Sequence, residues 1–273
     1  MARKPLRTFR RHALAPEPSA TSGWRRAGMR LGWTALSLLL LVAFWQVVAM
    51  ILASRLLPGP AEVAAALSRT AADGALFRNI AITLARVAAS FLIAMVLGSA
   101  IGIALGRSAR LDAVFGPWVI VLLNLPALVV IILCYVWFGL TEVAAVTAVA
   151  VNKIPNVAVT MREGAAALSR DLDEMARVFR FSRARTLRHV VLPQLAPFFA
   201  ASARTGLALT WKIVLVVELL GRSNGVGFEL QTAFQLFDVA TVLAYALAFT
   251  CVVQLIEVGL IQPWERHANR WRR

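Results

Sequence analysis

The chain has 273 residues, 59% of them hydrophobic and only 16% charged, with 29 Lys+Arg against 14 Asp+Glu and a formal net charge of +15. A soluble domain is about 45–50% apolar and about 25% charged, so one soluble core of this length cannot bury so many apolar side chains. The apolar content also excludes disorder and two cysteines exclude a disulfide scaffold. What remains is an all-α integral membrane protein whose positive charges are sorted to one side.

Residues 1–32 hold eight Lys+Arg together with Pro5, Pro16 and Pro18 and show no apolar periodicity. They read as a disordered basic arm lying near anionic headgroups. The apolar run that follows is longer than the about 7–15 residues of a signal-peptide core, so no cleavage is expected. A membrane-crossing helix needs about 20 apolar residues, and six candidate spans follow: residues 33–53, 80–106, 113–139, 143–159, 198–221 and 239–261. They divide the chain into the arm, a transmembrane domain over 33–262 with a connecting loop at 161–197, and a basic tail over 263–273.

The connections alternate in charge. Segments 1–32, 107–112, 161–197 and 263–273 carry 21 Lys+Arg, whereas 54–79, 140–142 and 222–238 carry only Arg55, Arg69, Arg78 and Arg222. Cytoplasmic loops are the basic ones, so both termini and the 161–197 loop are expected in the cytoplasm. An even number of spans follows from the same asymmetry. The charge is therefore topological, and no nucleic-acid partner is expected.

Within the spans, Gly98, Gly102 and Gly106 recur every fourth residue, a stripe that lets a neighbouring helix approach closely. Ionisable groups inside a span cost about 2.5–3.5 kcal/mol each at the bilayer centre and mark candidate function. Arg86, Lys153, Lys212 and Glu218 are such groups, and Asn124 with Pro126 marks a bend in the third span; together they form a candidate translocation path. Arg86 is near enough to a span end to snorkel outward, which favours a structural role. Lys153 lies beside Asn152 and two residues before Pro155, where freed backbone groups favour a cavity lining or a kink. Lys212 and Glu218 are six residues apart, on different helical faces, so each needs a partner elsewhere. The three histidines are widely separated and no metal-ligand spacing is present.

The 161–197 loop carries an apolar helical stripe at Leu168, Leu172, Met175 and Phe179. Asp171 and Glu174 suggest a capping pair at the start of a short helix. Ser182 suggests the cap of a second helix, ended by Pro193. Five arginines lie among them. The pattern suits either an amphipathic hairpin on lipid headgroups or a docking element for a cytosolic partner.

The run Glu174-Met175-Ala176-Arg177-Val178-Phe179, followed by Val190-Val191-Leu192-Pro193, resembles the EAA loop of bacterial ABC importer permeases. Outside the loop, Leu57-Pro58-Gly59-Pro60-Ala61-Glu62-Val63, Trp137-Phe138-Gly139, Val217-Glu218-Leu219-Leu220-Gly221 and Asn224-Gly225-Val226-Gly227 are similar to signatures of the branch that imports nitrate, sulfonates, taurine and related small anions. The resemblance spans residues 33–262. It implies a type I ABC importer fold and a permease in the bacterial inner membrane, paired as a homodimer or with a paralogous copy. It also implies two cytosolic ABC ATPases that bind the ATP and Mg, and an extracytoplasmic solute-binding protein. The coupling residues implied are Leu172, Glu174, Met175, Ala176, Arg177, Phe179, Leu192 and Pro193.

Two positions depart from the family pattern: Met175 replaces Ala, and Arg180 stands where a Gly is usual. A non-Gly residue resists the left-handed conformation by about 1–2 kcal/mol, so a different turn is expected there. The chain has no Walker-type phosphate loop and binds no cofactor of its own, so it is not expected to be an enzyme. The rival reading is a stand-alone secondary transporter or channel. A membrane-embedded enzyme ranks last.

Overall fold

The computed structural model describes residues 20–263 apart from Ala53 and Arg55. Residues 264–273 of the tail expected over 263–273 and the first 19 residues of the arm lie outside these. The described residues form eleven α-helices and two single-turn π segments, with no strand among them.

Residues 1–53 form one unit. Its helix α1 (Ala20–Leu52) contains a predominantly apolar stretch of 21 residues from Gly32 onward, long enough to cross a bilayer. Trp33, Leu38, Leu39, Leu40, Leu41 and Phe44 are all exposed, as suits a helix clothed by lipid. The helix starts at Ala20, so residues 20–32 are helical where the composition suggested an unstructured arm.

The second unit begins at Ser54. Pro60, with its preset φ, opens α2 (Pro60–Ala72), which buries Val63 and Ala66. Next come α3 (Ala75–Arg107), α4 (Ala109–Leu123), α5 (Ala127–Phe138) and α6 (Glu142–Ala166). Ser108 caps α4 by accepting from the Leu111 N–H, and Thr141 caps α6 by accepting from the Ala144 N–H at 3.1 Å. The bend expected at Asn124 and Pro126 is a 95° break between α4 and α5.

The 161–197 loop is shorter than its composition suggests. Helix α6 runs through Pro155 to Ala166, and only 167–191 separates it from α9 (Leu192–Gly221). Between them lie α7 (Arg170–Val178), α8 (Arg183–Thr186) and a π segment at Leu187–Val191. Pro193 therefore starts α9 rather than ending a helix, because a missing N–H is harmless in a first turn. The chain ends its described course with α10 (Val226–Gln235), α11 (Val239–Ile256) and a π segment at Glu257–Ile261.

Helices α3 and α6 run parallel in register. Arg86 meets Glu142, Gly98 faces Ile154 and Val157, Gly102 faces Ala158 and Met161, and Gly106 faces Arg162 and Ala165. Helix α9 runs antiparallel to α6, since Gly164 meets Phe198 while Arg222 meets Glu142. Two parallel helices joined through α4 and α5 require that bent pair to carry the chain back once. It does so, from Asp112 beside Arg162 to Tyr135 beside Val217. Among the described residues four helices are long and apolar enough to cross a membrane, or five when the bent pair is taken as one span. Helix α9, 30 residues long but carrying Arg204, Lys212 and Glu218, stands where the remaining span was expected.

A small apolar cluster packs Leu105, Val119 and Ala158, and two larger ones divide the interior along this axis. One packs Val87, Ile131, Tyr135, Val149, Trp211 and Val214. The other packs Met95, Val157, Met161, Leu195 and Ala203.

Candidate functional site

The end of the bundle nearer Glu142 is closed by a charged network. Arg86 is 5% exposed and Glu218 0%. Arg86 Nε donates to Glu142 at 2.8 Å, one terminal nitrogen donates to Glu218 at 2.7 Å and to the Asn224 carbonyl at 2.9 Å, and the other donates to Glu142 at 2.6 Å and to the Asn224 side chain. All five guanidinium N–H donors are thus engaged. Arg222 adds a second cation, donating to Glu142 at 2.5 Å and to the Leu140 carbonyl. Two guanidinium groups and two carboxylates leave the network neutral, which is how buried charge is tolerated.

The same network fixes the start of α10. Its first N–H groups need acceptors, since a helix start has none of its own. Gly225 N–H donates to Asn79 at 3.0 Å, Val226 N–H to the Thr83 hydroxyl at 2.9 Å and Gly227 N–H to Glu218 at 2.8 Å, while Thr83 itself donates to Glu218 at 2.9 Å. Gly225 has φ +103°, and a Cβ there would lie 2.5 Å from the Glu218 carboxylate. A Cβ on Gly227 would lie 2.3 Å from the Leu215 carbonyl oxygen. The motif Asn224-Gly225-Val226-Gly227 is therefore a cradle for one carboxylate.

The five residues grouped as a candidate path do not share one surface. Arg86 and Glu218 bind each other, and Arg86 does so inside the bundle rather than by snorkelling. Lys212 is exposed on the outer face of α9, opposite Glu218. Asn124 is exposed too, its amide donating to the Ile120 carbonyl at 2.7 Å to finish α4. Lys153 is 2% exposed and points between α3 and α9. Glu142, Asn79 and Thr83 escaped sequence reading, being ordinary residues at a loop edge and on a helix face. Only the Glu218 and Asn224–Gly227 motif hinted at them.

Gly98, Gly102 and Gly106 are where α3 touches α6. A Cβ on Gly102 would lie 2.4 Å from the Ala158 carbonyl oxygen, and one on Gly106 equally close to that of Arg162. At this end of the bundle Arg162 pairs with Asp112 at 2.9 Å, and Arg204 with Glu257 at 3.6 Å ties α9 to the end of α11.

The 167–191 hairpin lies beyond that end. Helix α7 turns Ala176 inward and buried, while Leu172, Met175, Val178 and Phe179 face outward with Glu174 and Arg177. Ser169 occupies the N-cap position and makes no side-chain cap bond, so the expected Asp171 and Glu174 capping pair is not how α7 starts. Ser182 does cap α8, accepting from the Arg185 N–H at 3.3 Å. The turn between them is left-handed after all: Arg180 has φ +50°. Phe181 N–H donates to the Ala176 carbonyl at 2.9 Å and Arg180 N–H to that of Arg177 at 3.0 Å. These are the two bonds of a Schellman cap, which offset the strain of a side chain at that position. Leu192 is exposed at the start of α9 beside Pro193.

The fold is that of a type I ABC importer permease. A chain of the MetNI methionine ABC transporter in an inward-facing conformation superposes with TM-score 0.61 at 19% identity, covering 72% of this chain and 97% of that one. An amino acid ABC transporter with histidines gives TM-score 0.57 at 20% identity, over 74% and 97%.

Residues 94–258 match the family model of the binding-protein-dependent transport system inner membrane component, and the chain belongs to that family. Similar proteins include the aliphatic sulfonates transport permease protein SsuC of Bacillus subtilis, 29% identical over 94% of this chain and 95% of that one. The taurine transport system permease protein TauC of Escherichia coli is 27% identical over 85% and 86%. The bicarbonate transport system permease protein CmpB of Synechococcus elongatus is 26% identical over 90% and 94%. The chain is a multi-pass membrane permease subunit of an ABC importer.

Proposed function

We propose that this permease works as one of a pair, a homodimer or a heterodimer with a paralogous copy, in the bacterial inner membrane with both termini cytoplasmic. Two cytosolic ABC ATPases bind ATP and Mg and hydrolyse the nucleotide; this chain supplies the pathway. An extracytoplasmic binding protein delivers the solute at the Arg86 end, where segments 54–79 and 222–238 lie. The solute is a small anion of the nitrate, sulfonate or taurine kind. Relatives named for sulfonates, taurine and bicarbonate support that class, as does the surplus of cations over Glu218 within the spans.

The observation that carries the coupling role is the outward face of α7. A short helix that shows Leu172, Met175 and Phe179 to solvent at the basic end, with only Ala176 turned inward, has the form of a helix laid in a partner's groove. Glu174 and Arg177 flank that face and suit charged contacts at a groove rim. Leu192 and Pro193 begin the helix that carries the motion into the bundle. The experiment is Met175→Asp together with Glu174→Arg in the complete importer. Uptake and ATPase co-purification are expected to be lost at unchanged membrane abundance. Uptake that survives these changes, or that proceeds without the ATPase, would instead indicate a stand-alone transporter.

A further inference from the structure

The bundle holds two buried cations, and they are treated differently. Arg86 spends every donor on the neutral network. Lys153 is more deeply buried, yet among the described residues no hydrogen bond or ion pair reaches its ammonium. Unpaired charge in an apolar interior is normally removed or paired, so its retention calls for an occupant the chain itself does not contain.

Three observations place that occupant. Lys153 is 11 residues beyond Glu142 and nine before Arg162, which at about 1.5 Å per residue puts it near mid-depth, about 16 Å from one ion-pair level and about 14 Å from the other. It lies at the seam of the two apolar clusters: on α6 the first cluster ends at Val151 and the second begins at Val157, and on α9 Ala203 and Leu207 flank Gly206. Gly206 makes the room, because a Cβ there would lie 3.0 Å from Lys153 Cε and 3.7 Å from Nζ, with Phe91 Cε2 at 3.5 Å. One residue before Phe91, the Ser90 hydroxyl is buried and also has no partner. Helices α3, α6 and α9 thus bring an unpaired ammonium to a level where the packing divides, beside a glycine and the Phe91 ring.

We propose that Lys153 is the residue with which the permease meets its anionic solute. It donates charge-assisted hydrogen bonds to an oxyanion at mid-depth when the seam between the clusters parts, and Gly206 keeps the slot open. The assignment rests on the anionic-solute reading above. Lys212, exposed on the outside of α9, and Arg86, saturated by its own network, are left without that role.

The test uses the complete importer, reconstituted with its ATPase and binding protein in proteoliposomes and supplied in turn with nitrate, taurine, ethanesulfonate and bicarbonate. Lys153→Met keeps the length and removes the charge. Uptake of the transported anion is expected to fall about ten-fold or more, and Lys153→Arg is expected to keep a larger share. The purified Lys153→Met permease is expected to melt about 2–4 °C higher, because a buried unpaired charge has been removed. A purely structural lysine would lower melting temperature and uptake together, and that outcome overturns the assignment. Uptake by Lys153→Met within two-fold of the native importer also overturns it while leaving the importer reading intact. If the native importer moves none of the four anions, the anionic-solute reading fails and this assignment with it.

Discussion

The two ends of the bundle handle charge in opposite ways. At the Arg86 end Arg86, Arg222, Glu142 and Glu218 pair with one another, the acceptors at the α10 start are side chains from α3 and α9, and the left-handed positions are held by Gly225 and by Phe237 (φ +54°). At the hairpin end the arginines are exposed, α7 leaves its apolar face uncovered, and an arginine sits in a left-handed turn where glycine would be at ease. A closed, neutral network suits an element that holds three helices in one arrangement. An open, strained hairpin suits an element whose remaining partner is another chain.

That contrast can be broken most severely at Arg86. Arg86→Met leaves Glu218 buried with one counter-charge fewer, and losing one member of a buried pair costs about 3–5 kcal/mol. Membrane abundance and melting temperature of the purified permease are expected to collapse, and Arg86→Lys rescues them only partly because three donors cannot replace five. A melting temperature unchanged in Arg86→Met would mean that the network holds nothing together. A smaller loss is expected from Gly225→Ala, where a backbone region open almost only to glycine costs about 1–3 kcal/mol for any side chain. Thermal unfolding should show it, and the crowded Glu218 carboxylate leaves the new methyl no room to escape.

The smallest effect has the opposite sign. Arg180→Gly relieves about 1–2 kcal/mol of left-handed strain and returns about 0.5–1 kcal/mol as extra chain entropy, a net gain of about 0–1.5 kcal/mol. Amide exchange in α7 is expected to slow by roughly two- to five-fold, with no change at the Arg86 end. If exchange instead quickens, the Arg180 side chain holds the turn in a way its Schellman bonds do not account for.

Much of this was legible in one dimension. The long apolar helices follow from hydropathy. The same holds for the glycine stripe and for the break at Asn124 and Pro126. Local chemistry misled where it met continuity. Pro193 suggested a helix end, yet it stands in the first turn of α9, where a missing N–H costs nothing. Arg180 suggested a different turn, and two backbone bonds overrode its preference. Asp171 and Glu174 looked like a cap, but α7 starts at Arg170 and both lie inside it.

Partnership was the part no reading along the chain could supply. Arg86, Glu142 and Glu218 are separated by 56 and 76 residues, and nothing in local spacing says that two of these charges close on the third. Nor does anything beside Lys153 in sequence reveal that Gly206 faces it or that no acceptor does. Composition and periodicity determine which segments are apolar enough to enter the membrane, because that depends on each segment's own transfer energy. Which buried charges are silenced and which one is left available is decided only when helices distant in the chain pack together, because pairing energy belongs to both partners at once.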